Sequence, residues 1–140
     1  MRLLLDTNIL SEVTKPRPNE TVLNWLHGLD EDRTFISIVS IAEIRRGDAL
    51  MDSGKKHDAL NEWLTYDLPQ RFKNRIIPVE ELVARAWGDL MALAKRSGRG
   101  LASMDGLIGA TAVAHQLTLA TRNAKDFEGF GIDIIDPWTT

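Results

Sequence analysis

The feature that most constrains this chain is an alternation. Short apolar runs of strand length recur between longer segments whose apolar residues keep helical spacing. Leu3 to Leu5, Thr34 to Ile38, Ile76 to Val79, Leu117 to Ala120 and Ile132 to Ile135 read as strands, each rich in Leu, Ile or Val. Between them, Val22, Trp25, Leu26 and Leu29 fall at helical period, as do Leu82, Ala86, Trp87, Leu90 and Leu93, and both sets are expected to face a core. Trp63 and Trp87 are read the same way, as packing residues rather than base-stacking platforms. Strands separated by helices predict an α/β fold, a central parallel sheet of about five strands flanked by helices.

At 140 residues the expectation is one domain, 1–140. The strongest breaker segments, Lys15 to Asn19 and Arg96 to Gly100, are too short to be interdomain linkers. Cysteine is absent, which excludes disulfides, thiolate nucleophiles and Cys-ligated zinc and fits a reducing compartment, so a cytoplasmic location is expected. No run approaches the ~20 apolar residues of a membrane span. Met1 to Leu5 reads as a strand rather than a leader, because Asp6 interrupts it after three leucines. A net charge of -3 means that any nucleic-acid binding must use local basic patches.

Three acids stand where this topology has chemical meaning. Asp6 ends the first strand run, and in open α/β sheets ligands bind beyond the carboxyl ends of the strands. Asp6, Thr7 or Asn8 would serve equally as cap of a helix beginning near Ile9. Glu43 follows the second strand run, and Ser40 with Glu43 matches the capping-box spacing S-x-x-E, so a purely structural role is open to it. Asp105 lies near the start of a helix rich in small residues, with Ser103 as its candidate cap. If the strands are parallel, all three acids fall on one edge of the sheet. Capping needs no common location, whereas a hard divalent cation needs several oxygen ligands in one cleft, and clustered carboxylates repel one another without it. Convergence therefore points to Mg²⁺ or Mn²⁺.

No side-chain nucleophile is indicated. His27, His57 and His115 are scattered without metal-ligand spacing, and the Ser and Thr residues near the acids have no His partner. Candidate phosphate-binding cations are Lys95, Arg96 and Arg99 upstream of Asp105, and a second cluster of Arg71, Lys73 and Arg75; Lys95 and Arg96 would equally complement a helix C-terminus, and Arg45 and Arg46 a solvated helix face.

Four segments, Leu4-Leu5-Asp6-Thr7-Asn8, Ser40-Ile41-Ala42-Glu43, Asp105-Gly106-Leu107-Ile108-Gly109-Ala110-Thr111-Ala112 and Thr121-Arg122-Asn123, resemble the ordered motifs of PIN domains over nearly the whole chain. The resemblance is greatest to the VapC and FitB toxins. It implies a PIN-like domain acting as a metal-dependent endoribonuclease, with Mg²⁺ or Mn²⁺ as cofactor and RNA as substrate, usually a homodimer and silenced by a cognate antitoxin protein. It implies that Asp6, Glu43 and Asp105 form the acidic metal site, with Asn123 as the fourth catalytic and metal position. Many relatives carry Asp there, and Asp126, one helical turn on, is an alternative source of charge if the segment curls back. Gly109 stands where alanine is usual, a change expected to affect helix packing. Two rival readings are kept. One is a PIN fold that binds RNA or protein without cleaving. The other is an Asp-nucleophile phosphohydrolase, which would want an acid two residues after Asp6, where this chain has Asn8.

Overall fold

In the computed structural model, which describes residues 1–139, the five strands are β1 (Leu3–Leu5), β2 (Thr34–Ser37), β3 (Ile76–Ile77), β4 (Thr118–Ala120) and β5 (Ile134–Ile135). They form one sheet in the order β3-β2-β1-β4-β5, with every pairing parallel. β1 lies at the centre, Leu5 opposite Ile36 on one side and Ala120 on the other. The helices are α1 (Thr7–Val13), α2 (Glu20–His27), α3 (Ile38–Leu50), α4 (Lys55–Glu62), α5 (Leu68–Arg71), α6 (Glu81–Arg96), α7 (Ser103–Ala114) and α8 (Ala124–Phe127).

Both faces of the sheet are covered, which is why its strands are apolar at successive positions. Leu5, Ile36 and Ala120 turn to one face and join Ile9, Leu10, Ile44, Leu64, Leu68 and Phe72. Leu4 and Leu119 turn to the other and join Val39, Ile77, Ile108, Ala112, Leu117 and Phe127. Alternate residues of one strand thus feed two cores, as the period of two requires.

The elements differ from expectation mainly at their ends. β2 stops at Ser37, because that side chain caps α3, accepting from the Val39 amide at 3.0 Å. β3 stops at Ile77, before Pro78, which has no N–H to continue the ladder. β4 begins at Thr118 and β5 at Ile134, one and two residues later than the apolar runs suggest. Residues 55–71, for which the sequence predicts no element, form α4, a π-helical turn at Trp63–Asp67, and α5.

On α6 the expected stripe is displaced only at its ends. Leu90 is buried and Ala86 and Trp87 are half-buried, but Leu82 and Leu93 are exposed, and Val83 and Ala94 are buried in their place. Two overlapping periodic sets exist on this helix, and the partner decides between them. That partner is α7, which comes close because Gly106 and Gly109 face it. A Cβ on Gly106 would stand 2.6 Å from Met91 Sδ and 3.1 Å from Trp87 Nε1, and one on Gly109 would stand 3.1 Å from Ile132 Cδ1 and 3.3 Å from Leu90 Cδ2. The packing consequence expected of Gly109 is therefore present.

Candidate active site

β1 passes into α1 through Asp6 alone, and β2 passes into α3 with no intervening residue, so both first turns stand at the carboxyl edge of the sheet. Asp6 is the N-cap of α1, with extended backbone. Its carboxylate Oδ1 accepts from the Thr7 amide at 2.7 Å, and Oδ2 accepts from Thr121 Oγ1 at 2.8 Å and Asn8 Nδ2 at 3.3 Å. The residue is only 3% exposed. Burial pushes its pKa up to about 6; the Thr121 and Thr7 hydrogen bonds oppose that rise, and the Asp105 and Glu43 carboxylates add to it. Capping and the acidic cluster are thus roles of one side chain.

Glu43 is not the capping-box residue its spacing suggested. α3 starts at Ile38 under Ser37, which puts Ser40 inside the helix and Glu43 in the second turn. Ser40 is buried, and its Oγ lies 2.8 Å from Thr7 Oγ1, which lies 2.6 Å from Glu43 Oε1. A carboxylate only accepts and a threonine hydroxyl carries one proton, so Thr7 donates to Glu43 and Ser40 donates to Thr7. Thr7 thereby ties α1 to α3 between two acids.

Asp105 is the third residue of α7, half-buried. The cap position is Ala102, not Ser103, and no side chain caps this helix. Order comes instead from α6, whose Trp87 Nε1 donates to the Ser103 carbonyl at 3.2 Å. Burial raises the Asp105 pKa first, and the Glu43 and Asp126 carboxylates raise it further. Asp6, Glu43 and Asp105 therefore stand within electrostatic reach of one another, and none of them forms an ion pair with Lys or Arg among the described residues.

Asn123 occupies the N-cap position of α8, exposed, with no capping bond from its side chain. Its amide donates to Thr121 Oγ1 at 3.0 Å. The following segment does fold back: Asp126 lies in α8, exposed, and its charge reaches Asp105. Thr121 is fully buried, and its oxygen also accepts from Asn8 Nδ2 at 3.3 Å while its proton goes to Asp6. The sequence offered Thr7 and Ser40 only as helix caps and Thr121 only as part of a motif, not as hydrogen-bond partners of the acids. The available signal was a hydroxyl directly after β4, one two residues after β1 and one three residues before Glu43.

Among the described residues no three or more His, Asp or Glu side chains stand close enough together to hold a metal ion by themselves. The donor set is nonetheless one of hard oxygens, with two members oriented by threonines. Mg²⁺ typically keeps several waters and takes one or two carboxylates, so an open set of this kind suits it.

The basic clusters expected to meet phosphate are mostly engaged elsewhere. Arg71 pairs with Glu31, and Arg75 donates to the carbonyls of Glu31, Thr34 and Arg71, all where strands begin rather than end. Arg99 donates to the carbonyls of Lys125, Asp126 and Glu128 and stacks on Phe130. Arg45 is held by buried Asp48 at 2.6 Å. A cavity of about 660 Å³, walled by Ile9, Leu10, Leu26, Leu68 and Phe72, lies apart from the acids.

The PIN domain family model matches residues 3–131. Toxin FitB of Neisseria gonorrhoeae is 40% identical over 97% of this chain and 98% of its own length. VapC ribonuclease Y4jK of Sinorhizobium fredii is 38% identical over 97% of each. The crystal structure of FitAcB from Neisseria gonorrhoeae superposes with a TM-score of 0.92 at 39% identity, covering 99% of both chains. A toxin–antitoxin complex from Klebsiella pneumoniae has a TM-score of 0.63 at 26% identity, covering 96% of this chain and 97% of that one.

Proposed function

The chain belongs to the PIN-domain family, beside the FitB and VapC proteins, and on that premise we propose that it is a metal-dependent endoribonuclease, the toxin of a toxin–antitoxin pair. The observation that carries the reading is that Asp6, Glu43 and Asp105 stand at one sheet edge within electrostatic reach, none of them ion-paired with Lys or Arg among the described residues. A divalent cation, Mg²⁺ or Mn²⁺, would supply polarisation of the scissile phosphate and acidification of the attacking water. Asp6, Glu43 and Asp105 would hold it, with Asn123 as an uncharged fourth oxygen and Asp126 adding charge from α8.

The chain's own residues do the positioning. Thr121 and the Thr7 amide fix the Asp6 carboxylate, and the Thr7 hydroxyl, backed by Ser40, fixes Glu43. Asp6 must be ionised to serve as a ligand, and with its pKa at about 6 the proton competes with the cation below that pH. No helix among the described residues is long and apolar enough to cross a membrane, which accords with a cytoplasmic RNA substrate and a protein antitoxin. The family likeness further implies a homodimer.

Asp-nucleophile chemistry finds no support, because Asn8 donates to Asp6 where an acid would be needed. The binding-module reading draws on the neutral Asn123 and the open spacing of the acids. One assay separates it from the nuclease: purified protein with total cellular RNA and Mn²⁺ or Mg²⁺, beside an Asp6→Asn control. Cleavage is expected only from the unsubstituted protein with metal. RNA left intact under those conditions, or cut equally by Asp6→Asn, would sink the assignment.

A further inference from the structure

An acidic centre repels the polyanion it is to cut, so some cation at the same edge must meet the flanking phosphates. Arg45, Arg71, Arg75 and Arg99 are committed to carboxylates or carbonyls, as described above. Arg122 is different. It directly follows Thr121, the partner of Asp6, and its backbone N–H donates to Asn8 Oδ1 at 3.3 Å. Its guanidinium lies 5.1 Å from the ring of Trp138, and among the described residues its side chain forms no ion pair and no hydrogen bond. Trp138 is itself a firm platform, packed on the core that contains Leu5 and Ile9, with its amide donating to Asp136 Oδ1 at 2.9 Å.

The Lys15 and Asn19 hydrogen bonds dominate the lowering of the Glu12 pKa on α1, and the Arg122 charge also helps to lower it. Glu12 does not neutralise it at contact, being already taken by Lys15 Nζ at 2.8 Å and the Asn19 amide at 2.9 Å. The guanidinium is therefore pre-oriented by an aromatic face, without an ion pair or hydrogen bond among the described residues, on the segment that carries Thr121, the partner of Asp6.

We propose that Arg122, laid over Trp138, binds the RNA phosphate adjacent to the scissile one. This rests on the nuclease reading above. Arg46, one turn along α3 from Glu43, is another exposed cation, but its side chain makes no hydrogen bond, ion pair or ring contact among the described residues. Stacking decides for Arg122, since a pre-oriented fork loses less freedom on binding.

The test is binding of a single-stranded oligoribonucleotide, followed by fluorescence anisotropy over a salt series with Mn²⁺ present, in the cleavage-silenced Asp6→Asn background. Adding Arg122→Gln is expected to weaken binding about tenfold at low salt and to flatten the log–log salt slope by about 0.7, the share of one phosphate contact. Adding Arg122→Lys is expected to keep the slope while losing part of the affinity, because charge remains without the stacked fork. An unchanged slope in Arg122→Gln overturns the inference, as does a slope in Arg122→Lys that falls as far as in Arg122→Gln. The two readings fail separately. No cleavage of RNA by the unsubstituted protein sinks the nuclease and this contact together, whereas cleavage with an unaltered Arg122→Gln slope sinks the contact alone.

Discussion

Where the strands begin, Arg75 spreads its guanidinium over three backbone carbonyls and stacks on Phe72, while Arg71 and Glu31 cancel one another. Where the same strands end, Asp6, Glu43 and Asp105 have no basic ion-pair partner among the described residues; the Asp105 and Glu43 carboxylates make Asp6 harder to ionise, and Glu43 does the same to Asp105. One edge is charge-balanced and the other is not. The cost is borne by the acidic edge, since a buried, unbalanced carboxylate is unfavourable to the fold until something outside the chain neutralises it.

That contrast can be broken by substitution, and the largest effect is expected at Asp6. Its folded pKa of about 6 against an ordinary 3.8 corresponds to ~3 kcal/mol lost by the folded state once the group is ionised in both states. The sign follows from proton binding: below 3.8 both states are protonated and there is no penalty. The penalty grows as pH rises and is complete above about 6. Asp6→Asn should therefore raise stability at pH 7 by up to ~3 kcal/mol while abolishing cleavage, and the gain should vanish near pH 4. Urea unfolding at the two pH values measures this, and a variant less stable than the parent at pH 7 would contradict it.

The opposite edge should respond in the opposite way. Arg75→Gln removes charged donors from three carbonyls and is expected to cost about 1–2 kcal/mol, while cleavage per folded molecule stays unchanged. Loss of cleavage in a folded Arg75→Gln protein would show that the edges are not independent. The smallest effect sharpens the acidic edge itself. Asn123→Asp should tighten Mn²⁺ binding about tenfold, ~1.4 kcal/mol, in calorimetric titration, and Asp126→Asn should weaken it by less. A larger loss at Asp126, with no gain at Asn123, would move the fourth ligand one turn into α8.

The strands and the place of Asp6 and Glu43 just after strand runs were legible because they depend on local chemistry: apolar runs, helical period, and a charged residue near the end of a run; the parallel pairing was an expectation from the alternation of strands with helices. Caps were less so. Ser40 and Ser103 each have the composition of a cap, yet Ser37 and Ala102 hold those places, because a helix starts where the preceding strand releases the chain and not at the nearest serine. The buried face of α6 was ambiguous for a related reason. Val83 and Ala94 were selected over Leu82 and Leu93 by α7, whose glycines permit a close approach on one side only.

From sequence alone came Asp6, Glu43 and Asp105 as candidates; the edge they share followed only once the strands paired in parallel, which sends every strand end to the same side. Their mutual orientation was settled by contacts between residues far apart in the chain. Thr121 reaches Asp6 across 115 positions and Thr7 reaches Glu43 across 36, and no local pattern encodes a hydrogen bond that exists only after β1, β2 and β4 have paired. The same holds for charge. Arg71, Arg75, Arg99 and Arg122 are alike as letters, but three are neutralised or capped by groups that folding brings to them, and Arg122 is laid on an indole beside the acids. A side chain's charge is local, but the field it meets is the sum over everything packed around it, and that sum exists only in the folded protein.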